Sequence, residues 1–444
     1  MKTRFRGPGR QCISSLLACA LAGCATYHPK PLPTAPDLAK APALVVPAEQ
    51  FLLPGLKPHP LPPDGLDATT VVMLAVFNDP DLKAARLKEG VARAQMMEAG
   101  LLPDPQFSAG YAESARNYGG ALGLSEDIQA LITRGAAKAA ASQAEKQVHL
   151  DILWQEWQVA AQARQLFIQE QSDRHLLEVL RSNERLLESQ YQKELTAMRR
   201  GDATAPAVSA DLVRLSSVDG NLRQLEVAID QTNHRLDALL GLQPDVPLHL
   251  VGKSQMPEIT ATQFQSAIAD LPRRRADLLA LKAGYRSQEE ALRKAILAQF
   301  PALSAGLVMQ RDPVEGVNDY GPQANLTLPI FNRNRGQIAI QKATRAALRQ
   351  AYQARLDDAV NQADEVWRSN QILATEIRGL NAQLRLLKQR AAAARKSLQQ
   401  GDLDSSAYAA MESGYLTKQA EAMQLRASLE SGRVALRVLL GLPF

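Results

Sequence analysis

The chain is written twice. Asp81-Leu82 recurs as Asp277-Leu278, Pro105 as Pro301, and Ser108-Ala109-Gly110 as Ser304-Ala305-Gly306, each 196 residues on. Gly201-Asp202 recurs as Gly401-Asp402, and Leu239-Leu240-Gly241-Leu242 as Leu439-Leu440-Gly441-Leu442, each 200 on. Five colinear matches with so small a drift define two units of about 175–200 residues. That period is far too long for a stacked solenoid repeat. Each unit must therefore be a supersecondary assembly of its own, and the fold must accommodate two of them.

Both units show the same internal order. An apolar-periodic helix comes first, at 67–100 and again at 261–299. Two short alternating segments follow, at 105–113 and 121–128 in the first unit and at 301–311 and 322–330 in the second. Alternation over about nine residues reads as a strand, and nine to eleven residues is also the length of a tilted membrane-spanning strand. Phe107, Ala109 and Tyr111 oppose Gln106, Ser108 and Gly110. Leu303, Ala305, Leu307 and Met309 oppose Ala302, Ser304, Gly306 and Gln310, with Val308 as the exception. Ala324, Leu326, Leu328 and Ile330 oppose Gln323, Asn325 and Thr327. Two isolated hairpins make no core beside so much helix. Phe107, Tyr111, Leu303, Leu307, Leu326 and Leu328 are thus candidates for the lipid face of a barrel wall.

A very long helical hairpin closes each unit. No proline interrupts residues 336–400, a run that would reach roughly 100 Å as a helix. Within it Leu373, Ile377, Leu380, Leu384, Leu387, Ala391, Ala394 and Leu398 alternate spacings of four and three. That 3.5-residue period is the pattern of coiled-coil packing. Tyr408, Met411, Tyr415, Lys418, Ala422, Leu425, Leu429, Gly432, Leu436 and Leu439 continue it on the return. In the first unit Leu215, Leu222, Ile229 and Leu236 recur every seven residues. The hairpin tips fall near Arg199-Arg200-Gly201-Asp202 and at Gly401-Asp402 with Asp404.

The N-terminus carries an export signal. Lys2, Arg4, Arg6 and Arg10 precede an apolar run that ends in Leu21-Ala22-Gly23-Cys24, the form of a bacterial lipobox. Cys24 is the expected lipidation site. Ala25 after it resembles the sorting signal for the outer membrane. The segment 24–66 holds eleven of the 25 prolines and reads as an extended tether. Removing the four signal cations takes the formal charge from +5 to +1, which gives no electrostatic footprint for nucleic acid. All three cysteines lie in the first 24 residues, and the six histidines lack ligand spacing. With no phosphate loop, zinc spacing or nucleophile motif, neither catalysis, a cofactor nor a metal site is expected.

Helix, strand pair and long hairpin, twice over and behind a lipobox, resemble the TolC-like outer-membrane efflux proteins. The likeness runs from Asp67 to Phe444. It is carried by the strand starts Pro105 and Pro301 and by the corner Leu326-Thr327-Leu328-Pro329-Ile330-Phe331-Asn332-Arg333-Asn334-Arg335-Gly336. The Phe-Asn-Arg-Asn-Arg-Gly form of that corner is similar to the branch serving heavy-metal pumps. The resemblance implies a mostly α protein with a small transmembrane β part. Three chains would build a 12-stranded barrel, four strands each, continued by a coiled-coil periplasmic tunnel. It further implies a homotrimer in the outer membrane, working with a periplasmic adaptor and an inner-membrane pump to export ions or small molecules. The domains expected are a signal (1–23), a tether (24–66), the first repeat (67–242), a linker (243–260) and the second repeat (261–444). At the far end of the tunnel, Arg199 and Arg200 are expected to pair with Asp402 and Asp404 and close a gate. The competing reading is a periplasmic coiled-coil scaffold lipoprotein without a pore, which accounts for the heptads and Cys24 but not for the strands.

Overall fold

The computed structural model describes residues 27–43, 53, 56, 60–114, 117–312 and 314–443. The signal and Cys24 lie outside the described residues. Residues 27–38 form a unit of their own with no helix or strand, and Ala39–Phe444 forms the second.

The two repeats have one element order. The first runs α1 (Ala68–Asn78), α2 (Pro80–Gly100), β1 (Gln106–Ser114), β2 (Asn117–Asp127), α3 (Ile128–Arg200) and α4 (Ala205–Leu239). The second runs α5 (Ala261–Arg274), α6 (Ala276–Leu297), β3 (Ala302–Arg311), β4 (Asn318–Thr327), α7 (Arg335–Gln400) and α8 (Ser405–Leu439). The four strands make one antiparallel sheet in chain order. β2 pairs with β3, which joins the two repeats. At about 1.5 Å per residue, the 73 residues of α3 reach about 110 Å and the 66 of α7 about 100 Å. α3 packs against α1, α2 and α4, and against α6 and α8 of the other repeat; α7 packs against α6 and α8. Each long helix is thus accompanied by two shorter ones in succession.

Each opening helix, expected to be continuous, is broken in two, at Asp79 and at Arg275. These positions are themselves 196 residues apart. At the first break Asp79 caps α2, its Oδ1 accepting from Leu82 N–H at 2.7 Å, and Pro80 occupies the first turn, where its missing N–H costs nothing. The second break has no cap bond. It is fixed instead by burial: Arg275 is fully enclosed and binds Asp277 through two hydrogen bonds, 2.9 and 2.7 Å.

The breaks free α1 and α5 to turn their apolar surfaces inward. Val71 through Phe77 of α1 are at most 3% exposed, as befits a helix apolar on all sides. Val71, Val72, Leu74, Ala75 and Val76 cluster with α3 and with Leu236, Leu239, Leu240 and Leu242 at the end of α4. Phe264 of α5 stacks on Trp367 of α7 at 4.7 Å. The repeated Leu-Leu-Gly-Leu motif is a helix stop: Gly241 and Gly441 are left-handed, at φ 66° and 63°. Leu242 N–H and Leu442 N–H then reach back to the Asp237 and Arg437 carbonyls at 2.8 Å each.

The heptads fall where the spacing places them. Ile377, Leu380, Ala391 and Ala394 of α7 are buried, as are Leu215, Leu222 and Leu236 of α4. Met411 is the exception in α8 and is exposed. α8 also has a second seam that the heptad pattern did not show. Ala420, with Leu416 and Met423 beside it, packs against Leu176 and Val179 of α3.

The fourth strand begins and ends earlier than expected, at Asn318 and Thr327 rather than over 322–330. Pro322 stands within it, opposite Leu307 of β3, on a strand that is an edge of the sheet in the single chain. The chain then turns through Arg333 and Asn334, both left-handed at φ 44° and 53°. The Asn334 side-chain amide donates to the Ala295 carbonyl at 2.7 Å, pinning the corner to the end of α6. Asparagine tolerates the left-handed region better than most residues.

Candidate functional site

The sheet has one greasy face and one polar face, and the register proves it strand by strand. Phe107, Leu124, Leu307 and Pro322 stand opposite one another, as do Ala109, Leu122, Met309 and Tyr320. Cross-strand partners share a face, so Glu126 and Arg311 interrupt what is otherwise one apolar surface, which also includes Tyr111, Leu303 and Leu326. Its large residues remain between 36% (Met309) and 74% (Tyr320) exposed, apart from Leu303, which is half-buried. Leu328, expected on the same face, lies one residue past the end of β4, because Pro329 follows and the chain is already leaving the ladder. It is exposed there.

The other face carries Gln106, Ser108, Gly110, Gly123, Ser304, Gly306, Gln323 and Asn325. Gly306 is required by the close approach of β2: a Cβ there would stand 2.1 Å from the Leu124 carbonyl oxygen. A soluble sheet turns its apolar side to a core. Here the polar face is small-residued and the apolar face is bare.

Two aromatic sets bracket the apolar face. Tyr111, Tyr118 and Tyr320 lie toward the strand–strand turns, and Tyr111 and Tyr118 have ring centroids 6.0 Å apart. Phe300 and Phe331 flank β3 and β4 at the helical end, 57% and 94% exposed. Ten residues at about 3.4 Å each, tilted by about 40°, span roughly 25 Å, the height of the apolar band on a membrane barrel. Tyr118 and Tyr320 fall outside the expected strand limits. The signal for them was a tyrosine just before each short strand. No described helix is long and apolar enough to cross a membrane.

The two hairpin tips are copies. Gly201 and Gly401 both take φ 84°. Asp202 N–H donates to the Ala197 carbonyl and Asp402 N–H to that of Ser397, each at 2.9 Å. This is the glycine-terminated helix end that a tight reversal requires. Arg199, Arg200, Asp202, Asp402 and Asp404 are all exposed. Asp404 has work to do within its own chain: its Oδ1 caps α8 by accepting from Ala407 N–H at 2.8 Å. That bond holds its carboxyl below the usual carboxylate range. Among the described residues, no ion pair within one chain joins Arg199 or Arg200 to Asp402 or Asp404. Close behind the second tip Arg395 binds Glu412 and the Tyr408 hydroxyl, both at 3.3 Å, and locks α7 to α8.

No protein-family model matches the sequence, and no curated protein matches it. Solved structures do. The chain superposes on the outer-membrane channel OprN with a TM-score of 0.70 at 16% identity, over 84% of this chain and 89% of that one. CusC, solved in the course of its folding and transmembrane channel formation, gives 0.69 at 18% identity over 92% and 100%. The outer-membrane protein VceC of Vibrio cholerae gives 0.69 at 18% identity over 85% and 96%. Superposition over most of each chain makes this the fold of the TolC-like outer-membrane channels.

Proposed function

We propose that this chain is one protomer of a trimeric outer-membrane efflux channel, passing ions or small molecules delivered by an inner-membrane pump through a periplasmic adaptor. The observation that carries this reading is the exposed apolar face of the four-stranded sheet, backed by a polar face of small residues. Four strands cannot close a membrane barrel, which needs at least eight. The chain also leaves β1 and β4 with open edges, a liability unless paired. Joining β4 of one copy to β1 of the next removes every edge, and three copies supply twelve strands. Such head-to-tail contacts close into a ring by rotation. The helical edges support it as well: Leu87 and Val91 of α2 and Ile340 and Ile372 of α7 are 55–76% exposed. A coiled-coil scaffold gives the bare apolar face nothing to do.

On this reading Cys24 is the mature N-terminus and carries lipid. Native mass spectrometry of the protein from membranes tests both points at once. Three chains per particle are expected, each beginning at Cys24 with acyl mass added. A monomer would overturn the channel reading, and an unmodified Cys24 would overturn the anchor alone.

The tips would meet around the threefold axis at the inner end of the tunnel, where the adaptor docks. There Asp402 and Asp404 would form a carboxylate ring of the kind that attracts cations in channels. Arg199 and Arg200 would pair with it across chains. The double variant Asp402→Asn with Asp404→Asn removes the charge and keeps an oxygen to cap α8, since asparagine caps as well as aspartate. It should raise single-channel conductance and weaken cation selectivity with the trimer intact, as should Arg199→Ala with Arg200→Ala. Unchanged conductance and selectivity in both variants would remove these residues from the gate.

A further inference from the structure

A cluster with no part in the channel sits at the end of α4. Asp230, His234 and Asp245 each offer a ligand atom there, all within 4.8 Å of one another. Asp230 and His234 are four residues apart and share one helix face. Asp245 comes from beyond the helix. The chain reverses at left-handed Gly241, and Asp245 itself holds φ 66°.

The imidazole is already oriented. His234 Nδ1 lies 2.9 Å from the Asp230 backbone carbonyl. A carbonyl only accepts, so Nδ1 donates its N–H here, and in the neutral ring Nε2 is the nitrogen left for a metal. Fixing one ring nitrogen on a carbonyl is how metal-bound histidines are commonly held. Nε2 stands 3.9 Å from Asp245 Oδ1, and Nδ1 stands 3.6 Å from Asp230 Oδ1. Bonds of 2.0–2.1 Å in a tetrahedral site set ligand atoms about 3.3 Å apart. The three ligand atoms, within 4.8 Å of one another on exposed side chains, need to close by up to about 1.5 Å to reach that.

A second observation points to a cation. Asp237 is 3% exposed, and one of its oxygens accepts from Asp245 N–H at 3.1 Å. Its other oxygen is buried and has no hydrogen-bond partner. His234 and Asp245 are the charged groups around it. Among the described residues no lysine or arginine pairs with Asp230, Asp237 or Asp245. Three carboxylates thus surround one imidazole, and no described lysine or arginine balances them.

We propose that Asp230, His234 and Asp245 bind one divalent transition-metal ion of the zinc class, with Asp237 as the outer carboxylate behind them. One imidazole and two carboxylates suit zinc and its neighbours, whereas calcium and magnesium take six or more oxygens. A water would complete the tetrahedron. The ion would staple the end of α4 to the segment that leads into the second repeat, independently of any channel activity.

The test uses tag-free full-length protein, stripped with a chelator and titrated with zinc chloride by calorimetry. One ion per chain is expected, with affinity at least about tenfold weaker in His234→Ala and in Asp245→Asn. Cobalt(II) should give the visible absorption of a four-coordinate site in the wild type and lose it in His234→Ala. The substituted side chains are exposed, and unchanged helical melting would show both variants folded. Absence of zinc uptake by the wild type, or equal uptake and equal cobalt spectra in both variants, would overturn the proposal.

Discussion

Leu307→Arg should cost about 2–4 kcal/mol per chain in the assembled protein and abolish most heat-stable trimer. Leu307 stands in the middle row of the apolar face, between Leu124 on β2 and Pro322 on β4. In the proposed barrel a guanidinium there would sit near the bilayer midplane, away from water. Because the proposed ring holds three copies, the penalty enters three times. Gln323→Arg is the matched control. Gln323 lies on the opposite face of β4, one residue from Pro322, and its charge would point to the aqueous lumen. Gel analysis of unheated samples from membranes reads the outcome. Equal trimer yield from the two variants would mean that the face assigned to lipid does not meet it.

Asp277→Ala should be the most damaging substitution in the helical part, at about 3–5 kcal/mol. Asp277 is a buried carboxylate hydrogen-bonded to two guanidiniums. It accepts from Arg275 through two bonds and from Arg355 Nε at 2.7 Å. Arg275 is fully buried, lies 4.8 Å from the centre of the Trp154 ring, and also donates to the Leu439 carbonyl at 3.4 Å. Removing the carboxylate strands a charge that water cannot reach, and the α5–α6 break loses what fixes it. Asp364→Ala deletes the exposed partner of Arg368 and should cost at most a few tenths of a kcal/mol. Thermal melts of the two variants separate the cases, and similar melting temperatures would refute a structural role for the cluster.

The same cluster sets a pH dependence. Burial pushes the Asp277 carboxyl up, but the hydrogen bonds and charges of Arg275 and Arg355 outweigh it and hold the group below its ordinary value of 3.8. A depressed carboxyl stabilises the fold fully above its unfolded pKa and loses that contribution as pH falls through the folded value. The wild type should therefore lose stability below about pH 4 more steeply than Asp277→Asn.

Much of this was legible in the residues. The α7 register from Leu373 to Leu398, the tip glycines and the alternation of β1 and β3 follow from local periodicity and local backbone demands, which a single sequence exposes. Asp79-Pro80 was legible too, since a cap before a first-turn proline is a helix start, but the strong periodicity on either side masked it. Arg275 was not, because its break depends on partners in α7 and α8 far along the chain. The limits of β4 were hidden for a related reason. Gly321 and Pro322 argue against a strand until the edge position and the β3 partner are known. The second seam of α8 needed α3, and Asp245 joins Asp230 and His234 only because the chain reverses after α4.

In the proposed assembly three copies enclose a water-filled path through a membrane. Planar-bilayer recording of the purified wild-type protein tests it most directly. Insertion should produce discrete, uniform conductance steps, present with trimer fractions and absent with Leu307→Arg. Trimer that inserts into the bilayer and never conducts, even with the Asp402→Asn/Asp404→Asn tips, would contradict it.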